Sequence, residues 1–264
     1  MPGQIKSNGV NGVNGVNGHH LNLNGSGTDG PIHPLRRSIK YHIPGGDLYV
    51  VVDDTQFRIH SYFFTRESSK FKNALSQTTL NGTLGSSSAT PLFIHNTTAA
   101  HFEEFLWVFY NESYSIYDAP VATWARILRF ANRWDFPAVR ELAIRELEGK
   151  DIDLVERILI YQEQDVEIAL ILPLYNALVA REAFITPQEI LRLGYPTAVM
   201  ILQARERLRT LPADFINGIN PLRTGVGLDD AGKVVESLLV DFPRTAPLEV
   251  SASSPLTPRM NGIH

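Results

Sequence analysis

The chain contains no cysteine. That absence excludes a disulfide framework, a thiolate zinc site and a cysteine nucleophile, and it makes an intracellular compartment, cytoplasmic or nuclear, the simplest expectation. An excess of positive charge is missing too: 24 Lys and Arg stand against 28 Asp and Glu, for a net charge of -4. A grip on nucleic acid depends on basic groups that neutralise phosphates, so this balance argues against one except through local basic clusters. No run approaches the roughly 20 apolar residues that span a bilayer. The start, MPGQIKSNGVNG, lacks the continuous apolar stretch of a signal peptide. A soluble chain without membrane contact is expected.

Signatures of catalysis are also missing. There is no G-x-S-x-G, no H-E-x-x-H and no Gly-rich phosphate loop opening a helix. The NGVNGVNGVNG repeat near the start has neither a strand-to-helix frame nor the Lys-Ser/Thr ending that a phosphate loop needs. Asp53, Asp54, His60 and His95 form the best polar cluster on paper, but turn carboxylates and histidines at strand ends account for them more simply. His19 and His20 with His33 lack a preorganised set of second partners, without which flexible histidines hold a metal weakly. No catalytic residue, cofactor or metal is expected.

What is present is a core. A chain of 264 residues that is 44% hydrophobic can build one substantial domain or two small ones. The strongest local signal runs from Gly46 to Leu75. Leu48–Val52 is a short β-branched and aromatic run bounded by Gly45-Gly46 and Asp53-Asp54, which reads as a buried strand. Asp53, Asp54 and Thr55 make the turn, and beyond it Phe57 and Ile59 alternate with Arg58 and His60, the period of a half-buried partner strand. A helix is expected over 61–67, and Ser68 is placed to cap the next one, with Phe71, Ala74 and Leu75 on its inner face.

The pattern D-[apolar]-turn-F-x-[apolar]-H, then a helix and S-x-x-F, resembles the core of a BTB/POZ domain, with Asp47, Phe57, His60, Ser68 or Ser69, and Phe71 at the matching positions. PLFIHNTTAAHFEEFLWVFYNESY is similar to the family's strand, helix and Y-T-G segment, and ILRFANRWDFPAVRELAIREL to its A-x-x-Y helix pair. The resemblance implies an α+β fold in which a small sheet is flanked by helices. It further implies partner contacts at Asp47, His60, Ser61 and Phe71, because in that family the Asp and the basic residue after the His line a charged pocket near a dimer interface. Here the basic position is Ser61. Asp47 has the alternative of capping a turn through its carboxylate.

The rest of the chain divides around that core. Residues 1–40, Asn- and Gly-rich, offer too little apolar surface to offset the entropy of ordering and are expected to be disordered. The BTB/POZ domain is expected over 41–149. Within it 76–89 reads as a mobile loop and 91–95 as a strand. Thr97 or Thr98 caps a helix with Phe102, Phe105, Leu106 and Phe109 on one face. Two further helices carry Trp124, Ile127, Leu128 and Ala131, and, after Pro137, Val139, Leu142, Ala143 and Leu147. A helical extension is expected over 150–211, with segments at 152–161, 166–183, 187–193 and 197–211, similar in position to that of single-domain fungal BTB proteins. Pro173 should kink or split the second segment. Thr186 and Glu189 form a capping box around Pro187. Arg205, Arg207 and Arg209 read as a solvated, dipole-compatible helix end. Residues 212–264 are expected to be mostly disordered, with a short amphipathic helix at 231–239 and Ser-Pro and Thr-Pro pairs open to phosphorylation in the tail.

The functional expectation is a non-enzymatic protein–protein interaction module acting by homo- or hetero-association through its BTB domain. One alternative is a substrate adaptor of a cullin-type ubiquitin ligase, although the loop SQTTLNGTLGSSSA lacks the Glu of the family's cullin-docking motif. The other is a transcription-associated regulator touching nucleic acid through Arg36, Arg37 and Lys40.

Overall fold

The computed structural model describes residues 35–80, 82–113, 116–210 and 227–242. The expectations for 1–34, the 211–226 link and the tail from 243 onward, including the histidines His19, His20 and His33 and the phosphorylation pairs, lie outside them. In chain order the first elements are β1 (Arg36–His42), β2 (Leu48–Val52), β3 (Thr55–Ile59), α1 (Ser61–Glu67), α2 (Ser69–Leu75), β4 (Thr78–Thr79), β5 (Gly82–Thr83) and β6 (Leu92–Ile94). Then come α3 (Ala99–Trp107), α4 (Val121–Trp134), α5 (Pro137–Glu148), α6 (Leu154–Glu163), α7 (Ile168–Ala180), α8 (Pro187–Leu193), α9 (Tyr195–Thr210) and α10 (Leu228–Leu239). The fold is α+β, and among the described residues no helix is long and apolar enough to cross a membrane.

A four-stranded sheet has the order β1-β3-β2-β6. β2 and β3 pair antiparallel, from Leu48 opposite Ile59 to Val52 opposite Thr55, while β1 and β6 pair parallel to their neighbours. β1 starts at Arg36, ahead of the boundary expected at 41, and its buried residues, Ser38 and Tyr41, are three apart rather than two. A register shift between Arg37 and His42 accounts for that spacing. One face of the sheet meets a cluster of phenylalanines drawn from β3, α1, α2, α3, α4 and the start of α5. Phe57, Phe64, Phe71, Phe102, Phe105 and Phe136 are fully buried and Phe130 nearly so. Their rings meet at 4.2 Å (Phe105 with Phe130), 4.9 Å (Phe64 with Phe71) and 5.0 Å (Phe57 with Phe102, edge to face).

Helix ends are tied across the chain. The Ser68 hydroxyl accepts from the Phe71 N–H at 3.0 Å and donates to the Trp134 carbonyl at 2.5 Å, so one side chain caps the start of α2 and the end of α4. Lys70 Nζ donates to the Arg133 carbonyl at 2.6 Å, and Ser69 donates to Asp135, the left-handed residue that stops α4. Asp53 in the hairpin turn accepts from the Ala99 N–H at 3.0 Å and Thr98 from the His101 N–H at 3.2 Å, capping α3 twice.

Three expectations need correction. The segment 76–89, expected as a mobile loop, carries regular pairing: β4 and β5 form a short hairpin of two-residue strands, and Gly85 then joins β2 through its carbonyl, which accepts from the Tyr49 N–H at 2.8 Å. Gly85 has φ 79°, and a Cβ there would lie 2.7 Å from Leu48 Cδ1, so only glycine permits that approach. Of the two outcomes expected at Pro173, a kink or a split, the split does not occur: α7 runs past it, with Ile171, Tyr175, Leu178 and Val179 buried. Arg205 is not solvated. It is 3% exposed and donates to the carbonyls of Leu178, Val179, Arg181 and Ala183 at 2.6–3.1 Å, taking up acceptors that the end of α7 leaves unpaired.

The expected capping box at α8 is present, and Arg181 adds a two-pronged contact to Glu189 at 2.7 and 2.8 Å. The Arg181 guanidinium and the Thr186 N–H hold the Glu189 carboxyl down at about 2, below its ordinary 4.5. A carboxyl depressed on folding contributes stability that is fully present above the unfolded value and is lost as pH falls toward the folded one. Thermal melts of Glu189→Gln should therefore be lower than those of the parent at pH 7, by about 1 kcal/mol of stability, and the two should converge between pH 4.5 and 2. Arg205→Met should lower stability by about 3 kcal/mol in urea titrations, since it strands several buried carbonyls.

Candidate partner-binding surface

Asp47, His60 and Ser61 come together where the hairpin hands the chain to α1. Gly46 makes this meeting physically tight: a Cβ on it would lie 2.9 Å from the Ile59 carbonyl oxygen, and Arg58 Nε donates to the Gly46 carbonyl at 2.7 Å. Asp47 follows directly, its N–H donating to the Ile59 carbonyl at 3.0 Å. One Asp47 oxygen accepts from the Ser61 N–H at 2.7 Å and the other from the Ser61 hydroxyl at 2.6 Å. Partial burial pushes the Asp47 carboxyl up, but these two Ser61 donors outweigh it and leave it below its ordinary value. The N-cap position itself, His60, makes no side-chain cap, so Asp47 serves α1 from fourteen residues upstream. It caps a helix rather than a turn.

His60 is held by Tyr110. The Tyr110 hydroxyl accepts from the His60 N–H at 3.0 Å and lies 3.1 Å from Nδ1. Burial pushes the Tyr110 hydroxyl up, keeping it protonated. The same tyrosine packs on Tyr41 of β1 with ring centroids 5.8 Å apart and on Phe63 of α1 at 5.5 Å. β1 and α1 therefore flank one residue. The exposed apolar groups of these segments are Leu35, just before β1, Ile39 on β1 and Tyr62 on α1, with Ile39 wholly and Tyr62 61% exposed. The Arg66 guanidinium lies 5.1 Å over the Tyr62 ring. Among the described residues β1 is an edge of the sheet.

The remaining sequence candidates are placed elsewhere or engaged. Phe71 is fully buried among Phe64, Trp134 and Phe136 and presents no surface to a partner. Arg36 pairs with Asp54, and Lys40 Nζ sits 5.1 Å over the Tyr41 ring. Asp53 caps α3 and His95 stacks beside Phe93, so Asp53, Asp54, His60 and His95 each have a local partner of their own. Among the described residues no group of three or more His, Asp or Glu could hold a metal ion. Tyr110, Tyr62 and Ile39 carry no local signal, since a tyrosine after an aromatic helix reads as core and the shifted register of β1 hides which of its residues face out.

Residues 45–150 match the family model for the BTB/POZ domain, a span from the turn before β2 to just past the end of α5. No curated protein and no solved structure matches the chain.

Asp47→Ala, which removes both hydrogen bonds, should cost about 1 kcal/mol in chemical denaturation, and Ser61→Ala, which removes only the hydroxyl one and leaves the backbone N–H donating, should cost less. The double variant should cost little more than Asp47→Ala alone, because the Ser61 hydroxyl bond is already lost there; additive losses would show that the two act separately.

Proposed function

Because residues 45–150 are a BTB/POZ domain, a protein–protein interaction module, we propose that the chain acts without catalysis, by associating with a second copy of itself through the face that β1 and α1 share. The observation that supports this reading is the edge position of β1 among the described residues, with Leu35 and Ile39 exposed, together with the exposed Tyr62 of α1. An edge strand with free backbone donors and acceptors pairs readily with another chain, and nature usually blocks such edges. Here Arg37 and Lys40 lie on the strand, but the fully exposed Ile39 stands between them. Apolar and aromatic groups surrounded by charge are the usual make-up of a contact centre and its rim.

Self-association ranks above the cullin-adaptor reading because the β4–β5 hairpin, where that docking motif would sit, carries no Glu. Its exposed apolar residue is Leu80 alone. Contact with nucleic acid through Arg36, Arg37 and Lys40 ranks lower still, since Arg36 is paired with Asp54 and Lys40 lies on the Tyr41 ring.

Light scattering across micromolar to millimolar concentration tests the reading. The parent chain should form a dimer, and Ile39→Glu combined with Tyr62→Ala should weaken it roughly thirtyfold, the effect of losing about 2 kcal/mol at a contact centre. A parent that stays monomeric across the whole range would defeat it. So would a dimer untouched by both substitutions.

A further inference from the structure

The four-stranded sheet has a second face. Phe57 and Ile59 turn toward the phenylalanine core, so the residues that alternate with them on β3, Gln56 and Arg58, turn away from it. Strand register then lays out two rows on that outer side. Arg37, Gln56, Val51 and Phe93 stand opposite one another on β1, β3, β2 and β6, and beside them His42, Arg58 and Tyr49 do the same on β1, β3 and β2. The β6 end is aromatic: Phe93 is 52% exposed, and the His95 ring lies parallel to it with 6.5 Å between centroids. Val51, 1% exposed, makes the floor between Gln56 and Phe93.

Formal charge on these rows is of one sign. Arg37 and Arg58 form no ion pair among the described residues; Arg58 Nε donates to the neutral Gly46 carbonyl, and its guanidinium lies 5.5 Å over the Tyr49 ring. Neither row contains an Asp or a Glu. The carboxylates that flank the hairpin are committed elsewhere, Asp47 to Ser61, Asp53 to the Ala99 N–H and Asp54 to Arg36. Gln56 adds a polar group at the centre. It is 8% exposed, and its amide makes no hydrogen bond among the described residues. A largely covered amide without a protein partner can bond the backbone of an incoming chain.

We infer that this outer face binds an extended acidic segment of a protein partner, with an apolar side chain for the Phe93 end. Carboxylates of the segment meet Arg37 and Arg58, its backbone meets the Gln56 amide, and the apolar side chain lies over Val51 against Phe93. Strands about 4.8 Å apart, with residues about 3.3 Å apart along each, put Arg37 and Arg58 roughly 8 Å apart, within reach of carboxylates at alternate positions of an extended chain. From Arg37 to Phe93 is about 14 Å, the length of about four extended residues. Nucleic acid fits less well, because a chain of net charge -4 lacks a general grip on phosphates. Phe93 lies on the opposite edge of the sheet from β1, so the inference does not rest on self-association through β1 and α1.

The probe is a fluorescein-labelled peptide, Ser-Glu-Ser-Glu-Ser-Ser-Ser-Phe-Ser, titrated with the full chain and followed by fluorescence anisotropy. It should bind with a Kd below about 1 mM. Replacing both of its glutamates by glutamine, or its phenylalanine by alanine, should weaken binding at least about fivefold, and so should Arg37→Glu or Phe93→Ala in the chain. No binding up to about 1 mM, or binding indifferent to these changes, overturns the inference. Should either variant melt earlier than the parent, amide NMR shifts on the parent chain decide. The peptide should then move Val51, Gln56 and Phe93 more than any amide of α6 to α9, and the reverse overturns the site. An oligothymidylate that binds where the peptide does not would make this a nucleic-acid surface, and a dimer lost on Phe93→Ala would give it to a second copy of the chain. Either outcome overturns the acidic segment.

Discussion

Everything in the amino-terminal half depends on seven phenylalanine rings occupying one volume. Phe57 comes from the hairpin, Phe64 and Phe71 from the short helices after it, Phe102 and Phe105 from α3, Phe130 from α4, and Phe136 from the turn into α5. Removing one such ring in other proteins costs about 3–5 kcal/mol, against a total stability on the order of 5–15 kcal/mol. The sheet is only four strands wide, and β6 is three residues long. It would not stand alone. The rings therefore do the work that sheet area does in larger α+β folds, and the short helices α1 and α2 hold their places because Phe64 and Phe71 anchor them.

Much of this was legible in the sequence, for a definite reason. The hairpin, α1, the Ser68 cap, the apolar face of α3 and Pro137 at the start of α5 are all local patterns, each written within a dozen residues and each present in the structure. What escaped was non-local. Arg205 looked like a surface charge because its four acceptors lie 22 to 27 residues away, at the end of α7. The 76–89 segment looked unstructured because serine, threonine and glycine signal a loop by composition. Gly85 instead uses its freedom to press against Leu48 and Leu75. At the candidate surface the split is similar: Asp47, His60 and Ser61 were singled out and do meet, whereas Phe71 was placed with them on the strength of a motif and belongs to the core.

The helical extension is stabilised by a different chemistry from the domain before it. Its loops are fixed by charge-assisted bonds, Arg205 to the α7 carbonyls and Arg181 to Glu189, and by a half-buried amide: Gln162 donates to both the Tyr175 hydroxyl at 2.9 Å and the Thr197 hydroxyl at 2.7 Å. Such contacts have strict geometry, so they specify how α6, α7 and α9 sit more sharply than apolar packing alone would.

Ser68 has a bearing on how the molecule is made. Its hydroxyl joins the Phe71 amide to the Trp134 carbonyl, 66 residues further along the chain. During synthesis the first hairpin and both short helices emerge long before that carbonyl exists, and Phe136, the last of the rings, arrives later still. Until then the growing chain exposes five or six aromatic side chains and the open edge of a sheet, the combination that most invites misassociation. The domain is thus completed late and all at once, and the nascent polypeptide on the ribosome is the form of this protein most in need of a chaperone.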